Sequence, residues 1–372
     1  MRISPFKLER YLELYEFTAK YMLGASDCES FEIKEILSEQ ELSEMASLRL
    51  GYSRAQGSPI LRQEASNLFC ATSPEDILIC VPQEGIFITM NALLEPGDKV
   101  IVQVPCYQSL CELPKALGCK VLLWEPDTEN KRWEWNLDFL RENVDNKTKL
   151  IVINSPQNPT GQTFTKQEYH EILDIAKRNR CYVFSDEMYR LLEHDPQDRL
   201  PTGSDTYEKC ISLSGMSKTF GLGGLRVGWI STTDKHALKR IIEFKDYTTI
   251  SNNPIAEYVA TIALKKKETL IARNHSIIMN NLGLLDSFFA KHQNLFAWFK
   301  PKAASIAFVQ TKFNKGAEAF CEDLVKKKEV LLVPSTKFGY GNRHFRLGFG
   351  RKNMQDGLRL LEQYLQEEMQ KV

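Results

Sequence analysis

The chain has 372 residues, 43% of them apolar and 26% charged, with 48 acidic and 48 basic side chains. That length exceeds what one hydrophobic core usually serves, so two lobes are expected, and the charge balance leaves no field to draw nucleic acid or an anionic membrane. Nine cysteines without a Cys-x-x-Cys pair argue against a disulfide framework or a zinc ribbon, and without a signal-like or membrane-length apolar stretch the expected location is the cytoplasm.

Along the chain, ILICV (Ile77 to Val81) is a short apolar run suited to a buried strand. A helical stretch follows to Leu94, then the turn Glu95-Pro96-Gly97-Asp98 and the strand KVIVQV. A helix to Leu117, the strand KVLLW and the strand TKLIVIN (Thr148 to Asn154) come next. Thr165-Lys-Gln-Glu168 is a capping box that starts a helix running to about Asn179. CYVFS, ISLS (Ile211 to Ser214) and, past a glycine-rich turn, VGWIS complete the series. Strands separated by helices in this order predict a mainly parallel sheet with both faces covered, a three-layer α/β sandwich.

From about Asn253 the pattern changes to long helices, then to ASIAFVQ, VLLVP and HFRLGFG as strands and a last helix from about Asn353, which predicts a smaller α+β domain. The segment before Ser43 has no sheet partner of its own and is expected to pack on that domain. The predicted division is therefore 44–252 for the large domain, with 1–43 and 253–372 forming the small one.

Asn158, Asp186 and Lys218 follow the carboxyl ends of predicted strands, the edge where doubly wound sheets bind ligands. A lysine there suits imine chemistry, because its amine condenses with carbonyls once its proton is lost. The competing readings are ordinary: a solvated surface lysine for Lys218 and a simple turn signal for Asn158. Gly221, Gly223, Gly224 and Gly228 lack the spacing of a dinucleotide fingerprint, which argues against a nicotinamide oxidoreductase, and the six histidines show no metal spacing.

Six motifs in order, GYSRAQGSPILR, EPGDKVIVQVPCY, NSPQNPTG, SDEMY, SGMSKTFGLGGLRVGW and HFRLGFG, resemble the class I/II aminotransferases, pyridoxal-phosphate enzymes of fold type I. The resemblance runs from about Gly51 to Arg346. It implies the aspartate-aminotransferase-like fold, pyridoxal 5'-phosphate as cofactor, an amino acid and a 2-keto acid as substrates, and a homodimer with shared sites.

By the same resemblance, Lys218 holds the cofactor as a Schiff base and moves the proton between the substrate α-carbon and cofactor C4′. Asp186 pairs with the pyridine nitrogen, Asn158 and Tyr189 with the phenolic oxygen, and Tyr107 stacks on the ring. Arg226 and Ser217, with Ser214 as a weaker candidate, contact the phosphate, and Tyr52 reaches it across the dimer. Arg346 clamps the substrate carboxylate.

Val81-Pro82-Gln83 departs from the family's small-residue opening of the phosphate-binding helix. Pro82 has no amide to donate, so Gln83 is expected to compensate. A lyase, decarboxylase or cyclase using the same cofactor is the rival reading. A non-enzymatic regulator is disfavoured, because no basic helix-turn-helix segment precedes residue 51. The segment LGASDCES and Tyr52 are expected to line the substrate side. Asp27 in that segment faces a basic substrate or caps the helix suggested by FEIKEILSEQEL, and the cap is the expectation adopted.

Overall fold

The computed structural model describes residues 2–128 and 132–368. Seven strands build the large sheet: β1 (Ile77–Cys80), β2 (Lys99–Gln103), β3 (Lys120–Trp124), β4 (Thr148–Asn154), β5 (Tyr182–Asp186), β6 (Cys210–Gly215) and β7 (Gly228–Ser231). Their spatial order is β1-β7-β6-β5-β4-β2-β3. Only β7 runs against its neighbours. The fold is that of the fold type I enzymes, as expected.

The apolar runs are explained by burial on both faces. In β4, Leu150 and Val152 join the core beneath the helices Pro82–Leu93 and Gln108–Ala116, whereas Ile151 and Ile153 join the core beneath helix Lys166–Asn179. That last helix begins at the capping box: the Thr165 hydroxyl accepts from the Glu168 amide at 3.2 Å, and the Glu168 carboxylate accepts from the Thr165 amide at 2.7 Å. Such a cap contributes about 1 kcal/mol.

A second sheet holds β8 (Phe296–Ala297), β9 (Ile306–Thr311), β10 (Val333–Pro334) and β11 (His344–Gly348), antiparallel throughout in the order β10-β11-β9-β8. The run VLLVP yields only two ladder residues. Its first residues pair elsewhere: Val330 bridges to Tyr21, and the Leu331 amide donates to the Tyr21 carbonyl at 2.9 Å.

The N-terminal segment is tied to this second sheet. Gly348 donates to the Leu23 carbonyl at 2.7 Å, Glu29 donates to the Gly350 carbonyl at 2.8 Å, and the Tyr11 hydroxyl donates to the Leu332 carbonyl at 3.0 Å. The approach is close enough that a β-carbon on Gly348 would stand 1.7 Å from the Ala25 oxygen. Any side chain there would push away the segment that carries Ser26 and Asp27.

Helix Pro254–Lys265 lies on the other side of the predicted boundary from the large sheet, yet it shares a core with Ile77, Ile79 and Trp229. The change at residue 253 marks a change of secondary-structure period, which need not coincide with a change of packing partner. We propose that the division runs through the long helix Lys267–Lys291, whose Leu270 packs with the β1/β7 end while Ile278, Leu282 and Leu285 pack in the main core. No described helix is long and apolar enough to cross a membrane.

Candidate active site

At the carboxyl edge of the large sheet, Asn154 ends β4 beside Asp186, which ends β5, and Lys218 follows the end of β6 by three residues. These ends open into a cavity of about 470 Å³. Lys218, Asp186, Asn158, Tyr189, Tyr107, Gln83, Ser217, Arg226 and Arg346 all line it. Tyr52 does not, being 94% exposed elsewhere, and Ser214 is not among the lining residues.

The Lys218 amine donates to the Ser26 hydroxyl at 2.8 Å, and the Tyr189 hydroxyl donates to the Ser26 carbonyl at 3.0 Å. Burial lowers the Lys218 pKa, with Asp27 opposing and Arg346 reinforcing the shift. A lysine so placed sheds its proton more readily than a solvated one, as a nucleophilic amine must.

Burial pushes the Asp186 carboxyl up to about 7, against the Met188 amide that donates to it at 3.2 Å. Glu187 adds to the rise and Lys218 opposes it. Among the described residues no cation stands within ion-pair distance of Asp186. A buried carboxyl in that condition suits a cationic ring nitrogen as its partner.

Arg346 is 1% exposed on β11. Its Nε and Nη2 donate to the Gly24 carbonyl at 3.2 and 2.8 Å, and Nη1 donates to Asn158 Oδ1 at 3.2 Å. The Asn158 amide in turn donates to Asn154 Oδ1 at 2.7 Å, so Asn154 fixes the loop that presents Asn158. No carboxylate pairs with Arg346 among the described residues, and burial lowers its pKa. It is a positioned cation with room for an anion.

At the phosphate end, Pro82 opens the helix Pro82–Leu93 and packs directly over two glycines. A β-carbon on Gly228 would meet Pro82 Cγ at 2.7 Å, and one on Gly215 would meet it at 3.1 Å. The missing amide is thus the counterpart of a tight helix-to-sheet contact. Gln83 is turned into the cavity, its Oε1 accepting from Ser109 Oγ at 3.3 Å. Arg226 is exposed and its guanidinium donates to the Gly223 carbonyl at 3.1 Å, which leaves most of its donors for an anion. These features fit a phosphorylated pyridine cofactor.

The remaining wall comes from the N-terminal segment. Helix Lys7–Tyr15 supplies Leu8, Glu9 and Leu12, and Glu16 follows it. Tyr107 leans on Phe6, ring centroids 5.1 Å apart, and its hydroxyl donates to Glu9 at 2.8 Å. Asp27 is no helix cap: Glu32 caps the next helix, and Asp27 accepts two bonds from Arg351 Nη2 at 3.0 and 3.1 Å while facing the cavity. Arg351 outcompetes a remote helix start because it offers a full charge at contact. The segment LGASDCES lines the cavity through Ala25, Ser26, Asp27 and Ser30, as expected, whereas sequence reasoning missed Asn154, Glu9 and Glu16. The amphipathic pattern of residues 7–16 was the available signal for the glutamates.

A lysine amine and a buried carboxyl face one cavity at the carboxyl edge of the sheet, an arrangement that suits a Schiff-base cofactor with a cationic ring nitrogen. The model of the aminotransferases of class I and II matches residues 19–361, and the chain belongs to that family. Its cofactor is pyridoxal 5'-phosphate and its reaction is transamination.

A solved structure of a PLP-dependent aminotransferase from Streptococcus suis 89-1591 superposes with a TM-score of 0.93 at 30% identity, covering 99% of each chain. Capreomycidine synthase of Streptomyces vinaceus is 29% identical over 76% of this chain and 72% of its own length. A probable aspartate aminotransferase of Methanocaldococcus jannaschii is 25% identical over 89% of this chain and 91% of its own.

Proposed function

We propose that Lys218 is the lysine that holds the cofactor and moves the proton in each half-reaction. The reading is carried by one observation: Lys218 and Asp186 line a single cavity with Arg346, which pairs with no carboxylate among the described residues. Bound pyridoxal phosphate supplies an electron-withdrawing ring that acidifies the substrate α-carbon.

In this reading Arg346 binds the substrate α-carboxylate by its planar fork, and the carbonyl of Gly24 holds that fork in place. Lys218 Nζ, a base of lowered pKa facing the same cavity, would take the proton from the α-carbon. Asp186 would hold the ring nitrogen, Asn158 and Tyr189 the oxygen-bearing edge of the ring, and Tyr107 would cover its face. Gln83, Ser217 and Arg226 bind the phosphate together with the free amides of the helix that starts at Pro82.

The working unit is a homodimer. Tyr52 and Tyr247, 94% and 92% exposed, stand with Leu50 and Ile250 on two loops that Ser53 and Asn252 join by bonds of 2.8 and 3.2 Å. Exposed aromatic and aliphatic side chains on two joined loops suit a protein interface. A second copy there would bring Tyr52 toward the partner's phosphate site. Nine unpaired cysteine thiols support a cytoplasmic location.

The test is spectroscopic. Purified protein is yellow, loses the band with borohydride, and shifts it when an amino donor is added. An added keto acid then yields a new amino acid, which the rival lyase, decarboxylase or cyclase chemistry does not produce. That rival draws on capreomycidine synthase and on a solved PLP-dependent cyclase, OrfR, which superposes with a TM-score of 0.90 at 26% identity. Lys218→Ala abolishes turnover in both cases; a variant that still turns over at the native rate overturns the assignment.

A further inference from the structure

Three carboxylates of the N-terminal segment line the active-site cavity: Glu9, Glu16 and Asp27. Glu9 and Glu16 are seven residues apart, so they lie two turns from each other on one helix face. Asp27 is neutralised by Arg351, its two bonds being 3.0 and 3.1 Å. Glu9 is met by the uncharged hydroxyl of Tyr107 at 2.8 Å. The Glu16 side chain has no hydrogen-bond or ion-pair partner among the described residues. Two negative charges therefore face the cavity without a cation of their own.

The opposite charge sits in the same cavity. Arg346 is 1% exposed, is fixed on Gly24 and Asn158, and pairs with no carboxylate among the described residues. Its charge calls for one anionic group on the ligand, whereas Glu9 and Glu16 call for a cationic one. The carboxyls are crowded: burial raises the Glu16 pKa, Asp27 and Glu9 add to the rise, and Arg351 and Lys218 oppose it, so a cationic ligand group there would favour the charged form.

We propose that Glu9 and Glu16 form the side-chain subsite, and that the preferred amino donor carries a positive charge at the end of its side chain, an ammonium or a guanidinium. The inference rests on the reading of Arg346 as the α-carboxylate site. A dicarboxylic donor held by Arg346 would set its second carboxylate against like charges, which disfavours it, while a cationic tail is drawn to them.

The test is equilibrium binding to the holoenzyme, with carboxylates that lack an α-amine and so cannot react: 5-guanidinopentanoate, hexanoate and adipate. The guanidinium compound is expected to bind roughly tenfold tighter than hexanoate, a gain of ordinary size for one partly buried charge pair. Adipate is expected to bind weakest. Glu9→Gln keeps an acceptor for Tyr107 and should remove much of the gain, and Glu9→Gln with Glu16→Gln should remove the rest.

In the half-reaction followed by cofactor absorbance, L-arginine should exceed L-citrulline, which differs from it chiefly by the charge. Equal affinities for the three carboxylates, or a gain untouched by both substitutions, overturn the inference. If Arg346→Lys leaves hexanoate binding unchanged, it is the reading of the site itself that falls.

Discussion

The amine of Lys218 and the hydroxyl of Ser26 are 2.8 Å apart although 192 residues separate them, so the N-terminal segment touches the proposed reactive group directly. Ser26 accepts from the amine and thereby favours its protonated form, against the burial that lowers its pKa. Removing that acceptor in Ser26→Ala lowers the pKa further. The rate at which cofactor-free protein recaptures pyridoxal phosphate needs the neutral amine, so its acid limb should move to lower pH. Stopped-flow absorbance across pH measures this; an unmoved limb refutes the coupling.

Asp186 makes a second pH prediction. Its pKa in the folded chain is about 7 against an ordinary 3.8. The folded state thus binds the proton more tightly than the unfolded one between those values, and stability falls as pH rises from about 4 to about 7. The loss has an upper bound of about 4 kcal/mol. Denaturation of cofactor-free protein across that range should show the decline, and Asp186→Asn should flatten it. Pyridoxal phosphate should stabilise the native chain more than the variant at pH 7, because only the native carboxylate answers a protonated ring nitrogen.

Arg346→Lys keeps the charge and discards the fork. One ammonium cannot serve the Gly24 carbonyl, Asn158 and a substrate carboxylate in the plane that the guanidinium spans. The KM for the amino donor should rise about 10- to 100-fold, the loss of one charge-assisted hydrogen bond of about 1.5–3 kcal/mol. Steady-state kinetics separate this from a change in kcat, and unchanged KM would remove Arg346 from the substrate site.

The large sheet was legible because its strands carry a strong local signal: short apolar runs separated by helices and bounded by capping and turn residues, as at Thr165 and Glu95-Pro96-Gly97-Asp98. The convergence of Lys218, Asp186 and Asn158 on one cavity was legible because each follows or ends a strand within a motif. VLLVP was not, since half of that run pairs with Tyr21, a contact no local period encodes. The segment LGASDCES was legible as a lining of the site, but not the contact of Ser26 with Lys218, which depends on Gly348 letting the segment 23–29 approach within contact of β11. Asp27 was misread because helix capping is a local inference, and the competing partner, Arg351, lies 324 residues away.

The shared site has the sharpest consequence. Suppose Tyr52 of one protomer completes the site that contains the Lys218 of the other; then Lys218→Ala and Tyr52→Ala lie in different protomers' halves of each site. A dimer made of one chain of each kind holds one site with both defects and one with neither. Mixing the two variants after partial unfolding and refolding should recover activity up to about a quarter of the wild-type level, because random pairing makes half the dimers mixed and half their sites whole. Tyr247→Asp, by placing a charge in the apolar patch, should shift the sedimentation coefficient toward the monomer and block this recovery. If Tyr52 acted within its own chain, no mixed dimer would contain an intact site, and the mixture would stay as inactive as its components.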